Sequence, residues 1–575
     1  MNATPAASLR VGNASGFYGD RFAAVREMLA DGPLDVLTGD YLAELTMLIL
    51  GRDRLRDPGL GYARTFLRQM EQCLGPALER GVAVVVNAGG LNPAGLADRL
   101  RELAERLGLR ARIGHVEGDD LMGRTAELAL GQPLTANAYL GAWGIAECLR
   151  GGADVVVTGR VTDASLAVGP AAAHFGWERD DYDALAGATV AGHVIECGAQ
   201  ATGGNYPFFA ELEAAGYDLT RPGFPVAEIH ADGSSVITKH EGTGGAVTTG
   251  TVTAQLVYEI AGACYPGPDV TARLDTAELA QEAPDRVRIS GVLGQAPSPE
   301  LKVGLTRMSG FANEMTLVLT GLDADAKAEL AERQMRAALA GNEPADLDFR
   351  LTRRGEPDAG TQDGASAHLR ITARDPDPGR VGRSFSSAAV ELALAGFPGF
   401  HATSPPSEAR PDGLAFASGS LPAGEAAHTA VLPDGTRVDI APAAAGVPPS
   451  EPPEPPLPAP LPHGRTREVP LGAVFGARSG DKGSSANIGV WAPGDDAWRW
   501  LAHRLTADRL RELLPETAPL PVTRYLLPNL RAVNFVVDGL LDGGAAANGR
   551  SDPQAKGLAE WLRGRRVLLP EELLG

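Results

Sequence analysis

Five short apolar runs in the first two hundred residues each lead into a polar, glycine-rich loop, and no other feature narrows the fold as far. The runs are Leu9–Gly12, Leu34–Leu37, Val82–Val86, Leu109–Val116 and Asp154–Val157. Val82–Val86 (VAVVV) is almost wholly β-branched, as suits a strand buried on both faces. Helical patterns separate the runs: Arg21–Ala30, a helix from Tyr41, Leu96–Leu107 behind an Asn92-Pro93 cap, and a long stretch over Ala136–Leu149. Strands alternating with helices predict a parallel sheet with right-handed crossovers.

The character changes near Pro225. Strand patterns at Ser235–Lys239, Thr251–Tyr258, Arg286–Val292, Glu314–Leu319 and Ala367–Ala373, with helices at Asp323–Leu339 and Ser387–Ala395, predict an α+β unit packed on the first. Nine of the fifteen residues in Pro448–Pro462 are proline. Such a segment lacks donors for a helix or ladder and reads as an extended, semi-rigid linker. Beyond it, strands at Ala473–Arg478, Asn487–Trp491, Val522–Leu527 and Ala532–Val537 and helices at Ala507–Leu514 and Pro553–Leu562 make a small α+β domain. The expected division is 8–445 (8–222 parallel α/β, 223–445 α+β), a linker at 446–464 and a C-terminal domain at 465–575.

Composition excludes several classes. A net charge of −20, from 52 basic and 72 acidic residues, argues against a nucleic-acid partner. Four separated cysteines, with no C-x-x-C pair, form no disulfide framework or zinc cluster. The start, MNATPAASLR, has no basic region followed by an apolar run, and no apolar stretch is long enough to span a bilayer. The expected location is cytoplasmic, with no membrane partner. Lysine is scarce: only Lys239, Lys302, Lys327, Lys482 and Lys556 occur. A lysine in a polar loop therefore stands out.

Ligands of open parallel sheets bind outside the carboxyl ends of the strands. The five loops there are Gly12–Arg21, Thr38–Tyr41, Asn87–Pro93, His115–Asp120 and Thr158–Ser165, and they should share one rim. Their glycines suit an anionic or enolate-like oxygen. Asp40 and Asp163 are candidate proton-transfer groups. Asn13, Ser15, Asn87, Gly89, Gly90 and the cation Arg160 are candidate substrate contacts. Turn and cap roles compete with this reading at every one of these positions. HVEGDD at His115–Asp120 carries oxygen ligands suited to a hard cation, but no second histidine completes a zinc pattern, and no metal is expected. In His193–Tyr206 (HVIECGAQATGGNY), Glu196 is a third candidate acid or base and Asn205 a candidate contact. His193 reads as structural, and Cys197 as a buried hydrophobe rather than a nucleophile. In RSGDKGSSAN, Arg478, Asp481 and Lys482 read as a polar loop suited to phosphate or carboxylate, or as a hairpin with a solvated lysine. The dinucleotide, α/β-hydrolase, zinc-protease and EF-hand signatures are absent.

Six segments in order carry a family resemblance: GNASGFYGDR, LTGDYLAELTM, VVNAGGLNP, TGRVTDASL, HVIECGAQATGGN and RSGDKGSSANIGV. Together the chain resembles the acyclic terpene utilisation (AtuA-like) family over nearly its whole length. The resemblance implies a large N-terminal domain followed by a small domain of ferredoxin-like fold. No cysteine follows Cys264, so that name concerns topology and not an iron–sulfur cluster. It also implies a setting of branched acyl-CoA catabolism, but no catalytic step and no catalytic residues. The expected function is a homo-oligomeric lyase, hydratase or isomerase. It would act on a branched or isoprenoid acyl-CoA or related carboxylate by acid/base chemistry. No cofactor is expected, with a CoA thioester as a candidate substrate. The competing readings are a binding or assembly subunit for an acyl-CoA carboxylase, and a tailoring enzyme of small-molecule biosynthesis.

Overall fold

The computed structural model describes residues 8–353, 356–443, 446–542, 544 and 550–574. Residues 1–7, read above for a leader, and the expected boundary at 445 lie outside the described residues. The chain is an α/β protein with two compact units. One comprises the first 306 residues together with the segments after Ala415, and the other is principally Arg307–Leu414.

The first unit is built on β1 (Leu9–Asn13), β2 (Val36–Gly39), β3 (Ala83–Val86), β4 (Ile113–Glu117), β5 (Thr135–Ala138) and β6 (Val155–Thr158). All but β5 form a parallel core in the order β1-β2-β3-β6-β4. The pleat sends alternate residues to opposite layers. Val85 and Val156 enter one core, which holds the helices Trp143–Arg150, Ser165–Phe175 and Tyr182–Ile195. Val84, Val86, Val155 and Val157 enter the other, with Ala24–Ala30, Arg64–Arg80 and Pro93–Arg106. Helices on both faces explain why these strands carry no polar alternation. Asn92 caps the Pro93 helix by accepting from the Gly95 N–H at 2.9 Å.

Three expectations are corrected here. The segment Ala136–Leu149 is not one helix. Its start is β5, drawn out of its alanine-rich helical tendency by antiparallel pairing with Val303–Thr306, and the helix begins at Trp143. Thr251–Tyr258 is not a strand but lies largely in the helix Thr249–Leu256, where the Thr248–Thr251 capping box overrides the β-branched pattern. The strands after Pro225 do not form a separate layer. β7 (Pro225–Ile229) and β8 (Ser235–Lys239), with Arg286–Ser290 and Glu278–Ala283, extend the first sheet antiparallel beyond β1. Thr429–Val431 and Arg437–Asp439 extend it beyond β4, giving eleven strands. The independent α+β unit therefore starts at Arg307, not at 223. There, Asp346–Arg353, Ser366–Asp375 and the later part of Glu300–Thr320 pair antiparallel and pack on the helices Ala324–Ala338 and Arg383–Ala395.

The C-terminal domain belongs to the first unit. Its sheet runs Gly476–Lys482, Ser485–Trp491, Ala532–Val537, Val522–Leu527, all antiparallel. The helix Asp495–Arg504 there went unread in the sequence. RSGDKG is a hairpin whose strands run to Lys482 and from Ser485, with Gly483 at φ +67 in the turn. Buried amides dock this domain. Asn487 accepts from the Glu259 N–H at 2.7 Å and donates to the Val257 carbonyl at 3.3 Å. Asn534 donates to the Ile260 carbonyl at 3.3 Å. The proline-rich segment is extended, yet it is strapped down rather than free. Glu451 accepts from the Ala263 N–H at 2.8 Å, and Arg499 donates to the carbonyls of Ala459 and Pro460 at 2.6 and 2.7 Å. Among the described residues no helix is long and apolar enough to cross a membrane.

Asn487→Leu leaves the partly buried Glu259 N–H and the buried Val257 carbonyl without their side-chain partner. At about 1–3 kcal/mol for an orphaned buried group, the urea midpoint should fall clearly below wild type. An unchanged midpoint would show that these amides do not hold the domain in place.

Candidate active site

The loops after β1, β2, β3, β4 and β6 lie at the carboxyl end of one parallel core, and their polar side chains bond to one another. Asp40 follows β2. Its Oδ1 accepts from the Asn87 amide, after β3, at 2.5 Å and from the Leu42 N–H at 3.2 Å. Asn87 in turn accepts from the Tyr41 N–H at 2.7 Å. Asn13, at the end of β1, donates to the carbonyls of Ile195 and Glu196 at 2.7 and 2.9 Å. It thereby satisfies the open carbonyls at the end of the helix Tyr182–Ile195 and fixes Glu196 at the rim. Arg160 follows β6, is 4 % exposed, and reaches both the Leu42 carbonyl and Asp163 Oδ1 at 3.1 Å.

The three candidate proton-transfer residues share one electrostatic environment. Burial, and then the Asp163 carboxylate, push the Asp40 carboxyl well above the usual range, against the pull of Arg160 and the Asn87 hydrogen bond. Burial and then Asp163 raise Glu196 in the same sense, with Lys482 and Arg160 opposing. Glu196 Oε1 lies 3.0 Å from His193 Nδ1, and its buried Oε2 has no hydrogen-bond partner. Burial, and then Lys482, hold the His193 imidazole down at about 4, so His193 and Glu196 form a neutral pair. The Tyr265 ring lies 5.0 Å from that of His193. Its phenol is kept protonated by burial and by Glu196 and Asp163. Asp163, ion-paired to Arg160, stays partly open to solvent.

The other candidates divide. Lys482 Nζ donates to the Glu259 carbonyl at 2.7 Å and lies 5.8 Å from the Tyr265 ring centroid, so the C-terminal hairpin reaches the acid cluster. Lys482 is reachable by solvent, yet dense protein around its ammonium, with Lys302 nearby, holds its pKa below that of a free lysine. Burial, and then Glu259, push Asp481 up to about 6, and Lys556 Nζ lies 3.9 Å away. Arg478 is occupied elsewhere: it donates to Gln200 Oε1 at 2.5 Å and to the Asn205 carbonyl at 3.3 Å, and stacks 4.5 Å from the Tyr258 ring centroid. Between Arg478 and Lys482, a Cβ at Gly480 would come within 2.8 Å of Tyr258 and Glu259. The Asn205 side chain does not join the acid cluster. It is an exposed turn residue at φ +56. Ser15 donates to the Phe17 carbonyl at 3.0 Å within its own loop. Gly89 lets its loop close on β6, where a Cβ would collide with the Thr158 carbonyl, and the Gly90 N–H bonds within the turn to Asn87 at 3.1 Å.

HVEGDD splits between locations. His115 pairs with Glu117 at 2.9 Å, Glu117 with Arg437 at 2.7 Å, and Asp120 with Arg54 at 2.8 Å. Only Asp119 turns toward the site, where Oδ2 accepts from the Arg160 N–H and the Asn137 amide, each at 2.8 Å. Among the described residues no group of three or more histidine, cysteine or acidic side chains is placed to hold a metal ion. Burial and then Glu196 push the Cys197 thiol up, which disfavours a thiolate nucleophile.

Sequence reading missed Glu44, Tyr139, Glu259, Lys302 and Lys556. Lys302 Nζ lies 3.3 Å from Glu44 and 4.5 Å from the Tyr139 ring centroid, and the Arg160 guanidinium is 4.1 Å from the same centroid. Burial raises the Glu44 carboxyl, but Lys302 and Arg160 outweigh it and bring it to about 2. Lys556 Nζ lies 2.9 Å from Glu259. The available signal was lysine scarcity, because three of the five lysines (Lys302, Lys482 and Lys556) meet here. Glu259 carries a left-handed φ of +55 that nothing in its neighbouring sequence announces.

Asp119 provides a pH test of this network. Burial lifts its carboxyl to about 7, above an unfolded value near 3.9, so the folded chain binds that proton more tightly. Its contribution is therefore most favourable at low pH and is lost as pH rises toward 7. Asp119→Asn should remove this slope, and wild type should lose stability relative to the variant between about pH 4 and 7 in paired urea titrations. Parallel curves would mean Asp119 is ionised throughout.

The model of the acyclic terpene utilisation family protein AtuA matches residues 9–432, and that of the AtuA ferredoxin-like domain matches residues 469–567. No curated protein matches the chain. With its parallel-sheet core, its following α+β unit and its small C-terminal domain, the chain belongs to the acyclic terpene utilisation (AtuA) family.

Proposed function

We propose that the protein is an enzyme acting on a branched or isoprenoid acyl-CoA, or a related carboxylate, by acid/base chemistry. Hydration, isomerisation and carbon–carbon cleavage next to a carbonyl all need one group that delivers a proton and another that removes one. The observation that carries the reading is Glu196: a nearly buried carboxyl, kept protonated beside neutral His193, with one oxygen free of any partner. Such a group is suited to act as general acid or to hydrogen-bond a developing enolate oxygen. Asp163, ion-paired to Arg160 and open to solvent, is assigned the complementary role of base. Asp40, which feels both Asp163 and Glu196, adds no second negative charge while protonated. Asn13 and Asn87 are assigned as positioning residues for Glu196 and Asp40.

The test is hydrogen exchange and product formation. The protein is incubated in D₂O with branched and isoprenoid acyl-CoAs and with their free acids, and deuterium uptake next to the carbonyl is followed by NMR and mass spectrometry. Asp163→Asn and Glu196→Gln should each lower turnover about 10²- to 10⁴-fold with little change in melting temperature. Substrate binding without exchange or turnover in wild type would favour a binding or assembly subunit. A large loss of stability in Asp163→Asn would mean that its ion pair with Arg160 is structural.

A further inference from the structure

A second polar cavity lies in the first unit, and none of Asp40, Asp163 and Glu196 lines it. Its volume is about 40 Å³, room for about three water molecules. Leu140, Trp143 and Leu301 are among its apolar walls, and Arg179, Asp269 and His428 are its titratable ones. Arg179 is exposed and donates to the Ala441 carbonyl at 2.7 Å, with its guanidinium 5.1 Å from the Trp143 ring centroid. A guanidinium has five N–H donors, so most of the fork is left. Asp269 is 8 % exposed. Its Oδ2 accepts from the Ala142 N–H at 2.8 Å, which leaves Oδ1 without a hydrogen bond among the described residues. His428 Nε2 is buried and has no hydrogen-bond partner. It packs against Gly144, where a Cβ would come within 2.5 Å. Gly144 lies in the first turn of the helix Trp143–Arg150, which has no side-chain cap, so the positive end of the helix dipole adds to the Arg179 charge.

We infer that this cavity binds a small carboxylate of about two carbons, which accepts from the Arg179 guanidinium, the Asp269 carboxyl and the His428 imidazole. The apolar walls suit its alkyl end and disfavour a hydrated phosphate. The site goes beyond the acid/base reading and does not depend on it. Burial pushes the Asp269 carboxyl up to about 6, against the Ala142 hydrogen bond and Arg179. Burial, and then Arg179, hold the His428 imidazole down at about 4. The charged and titratable groups facing Asp269 are thus Arg179 and neutral His428. With a proton on Asp269 Oδ1 and His428 in its Nε2–H tautomer, all three side chains are donors toward one small space. An ionised Asp269 would instead repel the ligand. The bound anion also braces the chain that supports the acid cluster. The Leu140 N–H donates to the Arg160 carbonyl at 3.1 Å, the Leu140 carbonyl accepts from the Thr162 N–H at 2.9 Å, and the Tyr139 ring lies beneath the Arg160 guanidinium.

The test is calorimetry, thermal shift and amide exchange on the full chain with acetate, its neutral isostere acetamide, chloride and inorganic phosphate. Acetate should raise the melting temperature and slow exchange over residues 140–144, and acetamide should do neither. Acetate affinity should fall about ten-fold between about pH 5.5 and 8, as Asp269 loses its proton. Arg179→Gln should weaken acetate binding about ten-fold at pH 5.5, the loss expected for a charge-assisted hydrogen bond. Asp269→Asn keeps an acceptor for the Ala142 N–H and a donor for the ligand, so it should bind acetate equally at both pH values. Folding of both variants is checked by circular dichroism. If Asp269→Asn does not fold, the wild-type pH profile and Arg179→Gln, a change at an exposed side chain, carry the test. Equal affinity in wild type and Arg179→Gln, a flat wild-type pH profile or no acetate binding at all would overturn the site. Chloride or phosphate binding as tightly as acetate would overturn the carboxylate assignment. Affinity lost in Lys482→Met and kept in Arg179→Gln would place the anion at the acid cluster and overturn the inference.

Discussion

The structure depends on a ladder of five parallel strands whose backbone groups are satisfied by one another and, at the two outer edges, by the antiparallel strands Pro225–Ile229 and Thr429–Val431. Both faces of β1, β2, β3, β6 and β4 are covered by helices, so water cannot replace a lost strand partner. That constraint fixes the register, and the register fixes which loop residues stand side by side. Asn13, Asp40 and Asn87 stand at the ends of strands that are direct neighbours, so the Asn87 amide reaches Asp40 and the Thr38 hydroxyl reaches Asn13 Oδ1.

Having brought acids together at a dry edge, the protein controls their charge chiefly through burial and amide donors rather than through one counter-ion each. Asp40 receives Asn87, and Asp119 receives Asn137 and a backbone N–H. Two adjacent carboxylates that both stayed ionised would repel strongly, so burial is resolved by retaining protons on Asp40 and Glu196. Asp163, unlike Asp40 and Glu196, has a close cation, Arg160, and is partly open to solvent.

The C-terminal domain is part of this arrangement, not an appendage. Its buried asparagines hold the backbone of Val257–Ile260, and the Glu259 carbonyl in turn holds Lys482. The proline-rich segment, strapped by Glu451 and Arg499, guides the chain along a defined route. Extended proline-rich chain has no backbone bonds to break on docking, which makes such strapping inexpensive in conformational entropy.

What could be read along the chain was what short-range physics controls. The β-branched runs, the Asn92-Pro93 cap and the glycine-rich loops depend on residues a few positions apart, so the parallel core and the three acids Asp40, Asp163 and Glu196 were legible. The errors fall where a distant partner overrides local preference. β5 is a strand because Val303–Thr306 pairs with it, and Arg478 is occupied because Gln200 lies across the domain contact. Glu44, Tyr139, Lys302 and Glu259 carry no local sign of their place, because their neighbours in the site lie hundreds of residues away or on another strand. The sequence by itself therefore determined the layered α/β core and the chemical types available at its edge. Tertiary structure alone decided which charges are buried, which are paired and which remain free, because desolvation and Coulomb interactions depend on distance in space, not along the chain.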